Sequence, residues 1–319
     1  MLDAHQLNVF LTAAETLNFT EAARLLSMTQ PSVSQHVQAL EQHFQTKLFN
    51  RAGRQLTLTD AGMALMPLAR QLVRQSIRID ETMASLHGSI YGHLRFGCST
   101  TSGKYVLPSL LGVFLKRHPR LHATCEVSSQ KQAIEALREG RVHLALACPQ
   151  ESDRHDVDSR LFYSDPIVLL VPDTHPWAAR GAVELREMRE ASLIMREEGS
   201  GTFNAVRQGL LRAGIELGDL QTVLTLGNSE AIALAVREGL GVGFVSGFVA
   251  QQLVREGVRH VDIDGLALRQ DVYLLQSRRH PPTNAQTAFW QFSADADNQL
   301  CSQVADETVS KLQFAELAL

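Results

Sequence analysis

The residues able to do chemistry stand in short polar runs set among apolar ones. Between Gln30 and Phe44, Val33, Val37, Leu40 and Phe44 recur at helical spacing, so one face of a helix turns inward. The opposite face carries Pro31, Gln35, Gln38 and Gln42, flanked by Ser32 and Ser34 and preceded by Gln30. It is polar, uncharged and short-sided at its N-terminal end. A glutamine amide can pair with adenine N6 and N7, and a serine hydroxyl reaches base edges or phosphate. A face of Gln and Ser without Glu or Lys suits a major groove better than it suits mere solvation. Phosphate positioning falls to Lys47, Arg51 and the helix N-terminus, while Arg54 is placed to reach a minor groove.

A second group of runs suits a different ligand. Cys98-Ser99-Thr100-Thr101-Ser102-Gly103 links an apolar strand-like run to a helix, and Gly199-Ser200-Gly201-Thr202 also precedes a helix, with Phe203 next. Each offers hydroxyls, small residues that admit close backbone approach, and N–H groups at the positive end of a helix. Ser128-Ser129-Gln130 and Asn228-Ser229 stand at similar strand-to-helix turns. Any one of these runs is an ordinary helix cap. As a set around one cleft they would hold a small anion without a formal cation.

The elements that must position these residues follow from periodicity. Leu7, Phe10, Leu11, Ala14 and Leu17 mark a first helix. A second opens at Thr20 as N-cap and carries Ala22, Ala23, Leu25 and Leu26, and the third begins at Gln30-Pro31. Lys47-Leu48-Phe49 and Leu56-Thr57-Leu58 read as two strands around a loop that holds Arg51 and Arg54. Residues 1–58 therefore form one domain. Residues 59–88 form a long helix capped by Thr59, with Leu65, Leu72, Ile79 and Leu86 in heptad register, a seam for pairing two chains. From 89 to 296, apolar strands alternate with amphipathic helices, which predicts parallel sheets in two α/β lobes around a cleft. Residues 297–319 form a tail with no assigned role.

Bulk composition narrows the function classes. The 319 residues exceed a single core, and 45% hydrophobic with 20% charged residues is ordinary for a globular chain. The longest charge-free stretch, Gly239 to Val254, is too short and too often interrupted for a membrane span, and Met1-Leu2-Asp3 is no signal peptide. A cytoplasmic protein is expected. The four cysteines lack CxxC spacing, the twelve histidines form no HxH or HExxH, and His118 and His122, four apart, fall in what reads as a loop, so no metal or cofactor is expected. The formal net charge of −4 argues mildly against nucleic acid. Between Thr20 and Leu58, however, Arg24, Lys47, Arg51 and Arg54 face only Glu21 and Glu41, a local excess of two positive charges.

The runs Phe19-Thr20-Glu21-Ala22-Ala23, Thr29-Gln30-Pro31-Ser32-Val33-Ser34-Gln35 and Leu40-Glu41 together resemble the LysR-type transcription regulators. So do Leu48-Phe49-Asn50-Arg51 with Arg54, Leu58-Thr59 and Ala61-Gly62. The resemblance implies an all-α winged helix-turn-helix, a dimerising linker helix, and a two-lobed α/β effector domain like the type 2 periplasmic binding proteins. It implies double-stranded DNA with a partly palindromic operator as partner, together with RNA polymerase and further copies of the chain in a dimer or tetramer. It also implies a small anionic metabolite as effector, held at positions matching Thr100, Thr101, Ser129 and Thr202. Where many relatives follow the Gly-Ser-Gly-Thr run with Arg, this chain has Phe203, which points to a ligand of lower charge with an apolar part.

Three rival readings remain. An enzyme lacks support, because Gly199-Ser200-Gly201 is no nucleophile elbow, and Gly239-Leu240-Gly241-Val242-Gly243 lies between helix and strand, the reverse of a dinucleotide fingerprint. A solute-binding transport component accounts for the second half but not for the first 88 residues. A repressor that needs no ligand is compatible with the sequence.

Overall fold

The computed structural model describes residues 1–52, 55–85, 90–150, 153, 155–253 and 257–296. The chain divides into two compact units, Met1–Ile90 and the remainder from Tyr91. Among the described residues, no helix is long and apolar enough to cross a membrane.

In the first unit, helix α1 (Ala4–Thr16) is capped by Asp3 and ends at Leu17, which takes a left-handed conformation at φ 47°. Helix α2 (Phe19–Leu25) is capped by Asn18, whose side chain accepts the amides of Thr20 and Glu21. The cap thus lies two residues before the expected Thr20, because Asn18 serves two N–H groups at once while Phe19 enters the core beside Phe49. Helix α3 (Gln30–Phe44) is capped by Thr29 and carries Pro31 in its first turn, where a missing N–H costs nothing. Val33, Val37 and Leu40 pack against Leu7, Phe10 and Ala22. Phe44, expected in that stripe, is 36% exposed, and Glu41 turns inward at the end of the helix instead.

Strands β1 (Phe49–Ala52) and β2 (Gln55–Leu58) pair antiparallel, Phe49 opposite Leu58. The hairpin starts two residues later than expected because the Leu48 N–H is bound at 3.0 Å by Glu41, not by a strand partner. Helix α4 (Asp60–Ser85) follows. The Thr59 hydroxyl accepts the Gly62 amide at 3.0 Å and donates to the Lys47 carbonyl at 2.6 Å, which pins the helix start to the hairpin. A β-carbon at Gly62 would sit 2.3 Å from the Leu48 carbonyl oxygen, so glycine is required for that approach. Within the expected seam, Leu65 packs partly on its own domain, whereas Leu72 and Ile79 are exposed and Leu86 lies outside the described residues.

The second unit is built on a mixed sheet. Its first lobe holds β3 (Gly92–Cys98), α5 (Leu107–Arg117), β4 (Leu121–Val127), α6 (Gln130–Glu139) and β5 (Leu144–Ala147), with β3 parallel to both other strands. Strand β6 (Val157–Pro172) then crosses into the second lobe. That lobe holds α7 (Pro176–Arg180), β7 (Ala182–Val183), β8 (Ser192–Arg196), α8 (Gly201–Arg212) and β9 (Gln221–Leu226). It continues through α9 (Ser229–Arg237), β10 (Val242–Ser246), α10 (Gly247–Leu253) and β11 (Val258–Ile263). Strand β12 (Leu268–Ser277) returns to the first lobe, where α11 (Asn284–Ala296) packs against β3.

The main strand order, β4-β3-β5-β12-β6-β10-β8-β9, places the two long strands in the middle. They run antiparallel to each other from Val157–Ser277 to Ile167–Leu268, so the expected parallel sheets become two parallel halves joined by an antiparallel pair. Polar residues hid the first half of β6 from a reading by apolar runs. Asp158 pairs with Arg278 at 2.6 Å and Arg160 donates to the buried Ser293 of α11 at 2.6 Å, so these strand residues are held by polar partners rather than by apolar packing. The first lobe closes over Phe96, Phe114 and Phe289, with ring centroids 4.8 and 5.1 Å apart. The second packs Leu193, Met195 and Phe244 on one sheet face and Ile194, Ile232 and Val245 on the other. Burial on both faces explains the continuous apolar run of Val242–Ser246.

Candidate functional site

Two sites arise from the sequence, one in each unit. In the first unit, Gln30, Pro31, Gln35, Gln38 and Gln42 are exposed along α3, with Ser32 and Ser34 half-buried beside them. The amide-bearing face is therefore on the surface, opposite Val33, Val37 and Leu40. Thr20 is exposed in the first turn of α2, its N–H taken by Asn18 at 2.9 Å. Of the four cations in this segment, Arg24 is paired with Glu21 and Lys47 with Glu41, each at 2.6 Å. Arg51 stands on β1 opposite Leu56, and Arg54 lies outside the described residues.

Glu41 fixes the hairpin to α3. Its carboxylate accepts from Lys47 Nζ, from the Leu48 N–H at 3.0 Å and from the Phe49 N–H at 3.4 Å. Burial by itself would raise its pKa, but these donors outweigh burial and hold the carboxyl below its usual range.

In the second unit, the helix that follows β3 opens with a π-helical turn over Ser102–Val106 before α5 begins. The wider turn directs the Ser102 hydroxyl onto Tyr163 of β6 at 2.7 Å, with the Ser99 hydroxyl 3.2 Å away. Thr100 is exposed and Thr101 half-buried at the mouth of this turn. The Ser128 amide binds the Cys98 carbonyl at 2.9 Å. Ser129 is engaged in a reciprocal cap with Gln132, so its hydroxyl and its amide are both used. Gln130, next to it, accepts the Cys148 amide at 2.6 Å.

From the second lobe, Ser200 caps α8 by accepting the Phe203 amide at 3.2 Å. Gly201 fits between two amide side chains: a β-carbon there would sit 2.2 Å from Gln270 Nε2 and 2.7 Å from Gln130 Nε2. Gln130 belongs to the first lobe and Gln270 to the crossing strand β12, so the start of α8 abuts the cleft floor. The Thr202 hydroxyl lies 3.4 Å from Gln270 Oε1. The Phe203 ring packs on the second lobe's core with Arg207 over it, so it is not grouped with these hydroxyls. Asn228 caps α9 by accepting the Ala231 amide at 2.8 Å, and the adjacent Ser229 is buried.

The hydroxyl-rich runs suggest a site without formal cations, but Arg196 and Lys104 lie beside these helix starts. Arg196 reaches Ser229 at 3.4 Å while paired with Glu197 at 2.8 Å. Lys104 crosses from the first lobe to Glu230, in the first turn of α9, at 2.6 Å, and the Tyr105 hydroxyl donates to the same carboxylate oxygen. The Tyr105 ring packs against the second lobe's apolar cluster. Gln270, Lys104, Tyr105 and Glu230 escape a sequence reading because no short motif contains them. Lys104 and Tyr105 reach Glu230 where α9 meets the first lobe, and Gln270 reaches Gly201 and Thr202 from β12.

Beneath the cleft floor, Asp165 of β6 is buried and accepts the Gly247 amide at 3.1 Å. Burial pushes its carboxyl up to about 7, against the pull of the Ser246 hydroxyl and of the Gly247 and Phe248 amides. Burial also pushes the Cys98 and Cys148 thiols up to about 12 and raises that of Cys125. Thiolates are therefore not populated at these three positions near neutral pH. Among the described residues, no cluster of three His, Cys, Asp or Glu could hold a metal ion.

Both units match known families. Residues 4–63 match the model described as "Bacterial regulatory helix-turn-helix protein, lysR family", and residues 87–298 match that of the "LysR substrate binding domain". An HTH-type transcriptional regulator of Methanocaldococcus jannaschii is 31% identical over 89% of this chain and 95% of its own length. The RuBisCO operon transcriptional regulator of Allochromatium vinosum is 32% identical over 90% of this chain and 94% of its own. The second unit is similar to the CcmR regulatory domain of Synechocystis, solved in complex with 2-PG. That likeness has a TM-score of 0.59 and 25% identity, and covers 66% of this chain and 99% of that one.

Proposed function

The chain belongs to the LysR family of DNA-binding transcription regulators, and we propose that it reads its operator through α3 and senses a small anion at the starts of α8 and α9 and at Thr100–Ser102. The observation that carries the DNA half is the exposed, uncharged amide face of α3 set opposite a buried aliphatic stripe. Gln30, Ser32, Ser34, Gln35 and Gln38 supply contacts to bases, with Pro31 shaping the helix start. Thr20 with Arg51 supplies phosphate contacts, and Arg54 enters the adjacent minor groove. The exposed Leu72 and Ile79, continued by Leu86, are the seam that pairs two α4 helices and sets two reading heads on one palindromic site. Recruitment of RNA polymerase from that assembly is part of the same reading.

The effector half rests on the meeting of Gly201 with Gln130 and Gln270, which brings the α8 start against the first lobe and the crossing strand β12, with Ser99, Thr100 and Thr101 as the first lobe's further contribution. The binding of 2-PG by the CcmR regulatory domain supports a small anion as the ligand class. Ser128 and Asn228 border the site, and Ser129 and Phe203 serve it as cap and packing residue. Ligand in the cleft changes the angle between lobes and so the spacing of the reading heads in the oligomer.

A gel-shift titration against the gene's own upstream intergenic DNA tests this reading, with unrelated competitor and a salt series. Tight, competitor-resistant binding supports it, and weak binding erased by salt on every sequence counts against it. Gln35→Ala should change base preference by about 1–3 kcal/mol at one position, whereas Arg51→Ala should weaken binding to all sequences alike.

A further inference from the structure

Arg196 and Lys104, beside the cleft, are each answered by a carboxylate of the chain itself. Arg196 is held by Glu197 through two hydrogen bonds, and Lys104 is held across the lobes by Glu230 at 2.6 Å. Tyr105 donates its hydroxyl to the same Glu230 oxygen, and its ring packs against the second lobe's apolar cluster. Glu230 therefore occupies the cation and the donor that the first lobe extends toward α9. Each of these two pairs is neutral in sum, so an anion entering beside them meets hydroxyls and amides, with Glu197 and Glu230 as near neighbours.

We infer that Glu230 is a specificity residue of the cleft: by occupying Lys104 and Tyr105 it tunes the site to singly charged small anions and against doubly charged ones. This inference rests on the cleft reading given above. The physical reason is that dipolar donors and one helix end compensate a single negative charge well. A second charge would have to be desolvated beside an existing carboxylate whose cation is already taken. Replacing Glu230 by an isosteric amide removes that charge and frees Lys104. Each negative charge on the ligand gains from the change, so a dianion gains about twice the free energy that a monoanion does.

The test uses the full-length chain at constant ionic strength, with calorimetric titration of inorganic sulfate and of methyl sulfate, two probes that differ by one charge. The parent protein should bind methyl sulfate at least as tightly as sulfate. Glu230→Gln should shift the ratio of the two affinities toward sulfate by about five- to tenfold, the size expected for one partly screened unit charge several ångströms away. The double variant Lys104→Gln/Glu230→Gln restores balance and should return the ratio toward the parent value. It also shows whether loss of the interlobe pair alone, rather than charge, moves binding. A ratio that stays within twofold in Glu230→Gln, while Thr100→Val abolishes binding of both probes, overturns this inference and leaves the cleft reading standing. Absence of binding by either probe to the parent and to Glu230→Gln overturns both.

Discussion

Replacing Glu41 by alanine removes the acceptor that joins α3 to the hairpin, and the structure sets the size of the effect. Leu48 and Phe49 are 1% and 4% exposed, so their amides lose a buried partner that water does not readily replace. An orphaned buried N–H costs about 1–3 kcal/mol. The 3.4 Å bond to Phe49 is the weaker of the two, and the Lys47 partner is largely exposed and adds about 1 kcal/mol or less. The sum is about 2–4 kcal/mol. For a unit of this size, that lowers the melting temperature by at least about 10 °C. Both tryptophans, Trp177 and Trp290, lie in the second unit, so tryptophan fluorescence should report an unchanged melt while calorimetry shows the first unit melting early. Glu41→Gln keeps an acceptor for Leu48 and should lose less.

The pH dependence has a definite sign. The folded Glu41 carboxyl lies below its unfolded value, so its contribution is complete above about pH 4.5 and disappears as pH falls through the folded value. In Glu41→Ala this acid-limb loss should be absent. A calorimetric transition of the first unit within about 2 °C of the parent would refute the reasoning.

Gly201→Ala places a methyl group against the amides of Gln270 and Gln130 and should cost about 1–3 kcal/mol; sulfate binding should fall at least about tenfold while the gel shift on DNA is unchanged. Retention of parental sulfate affinity would remove this contact from the cleft. Asp165 has a folded value near 7, above its unfolded 3.8, so the native state keeps a proton longer and stability from this group declines as pH rises through that window. Asp165→Asn should therefore gain on the parent between pH 5 and pH 8.5 in urea unfolding, by about 3 kcal/mol at most, because only the span from pH 5 to about 7 contributes. An equal difference at both pH values would contradict the assignment. Leu72→Lys with Ile79→Lys alters exposed positions on α4 and should leave the first unit's melt intact while sedimentation shows smaller species and DNA affinity drops. Unchanged sedimentation would move the pairing surface elsewhere.

Much of the first unit was legible in the sequence because its signals are local. The spacing of Val33, Val37 and Leu40 fixes which side of α3 faces inward, and hence that Gln35 and Gln38 face outward. Thr59 announces the start of α4 through cap chemistry, whereas the close approach that requires Gly62 shows only in the structure. In the second unit, runs such as Leu144–Ala147 and Val242–Ser246 show as strands because both faces are buried. Periodicity misplaced Phe44, since the helix end lies where the hairpin needs an acceptor and Glu41 takes the inward place.

Tertiary structure alone decided the rest. Strand β12, with Gln270 on it, joins the two lobes by pairing with β6 more than a hundred residues earlier, and no local pattern encodes a partner so distant. Glu230 and Lys104 are separated by 126 positions, yet they share one ion pair across the cleft. The sequence by itself determined the family, the outward amide face of α3 and the hydroxyl-rich helix starts, because caps, helical faces and motifs depend on neighbours within a few residues. Which cations are already neutralised, which hydroxyls are spent on caps and which amides meet at Gly201 depended on how distant strands cross. Those pairings follow from the packing of the whole second unit, where long-range contacts, not local propensity, place the polar groups.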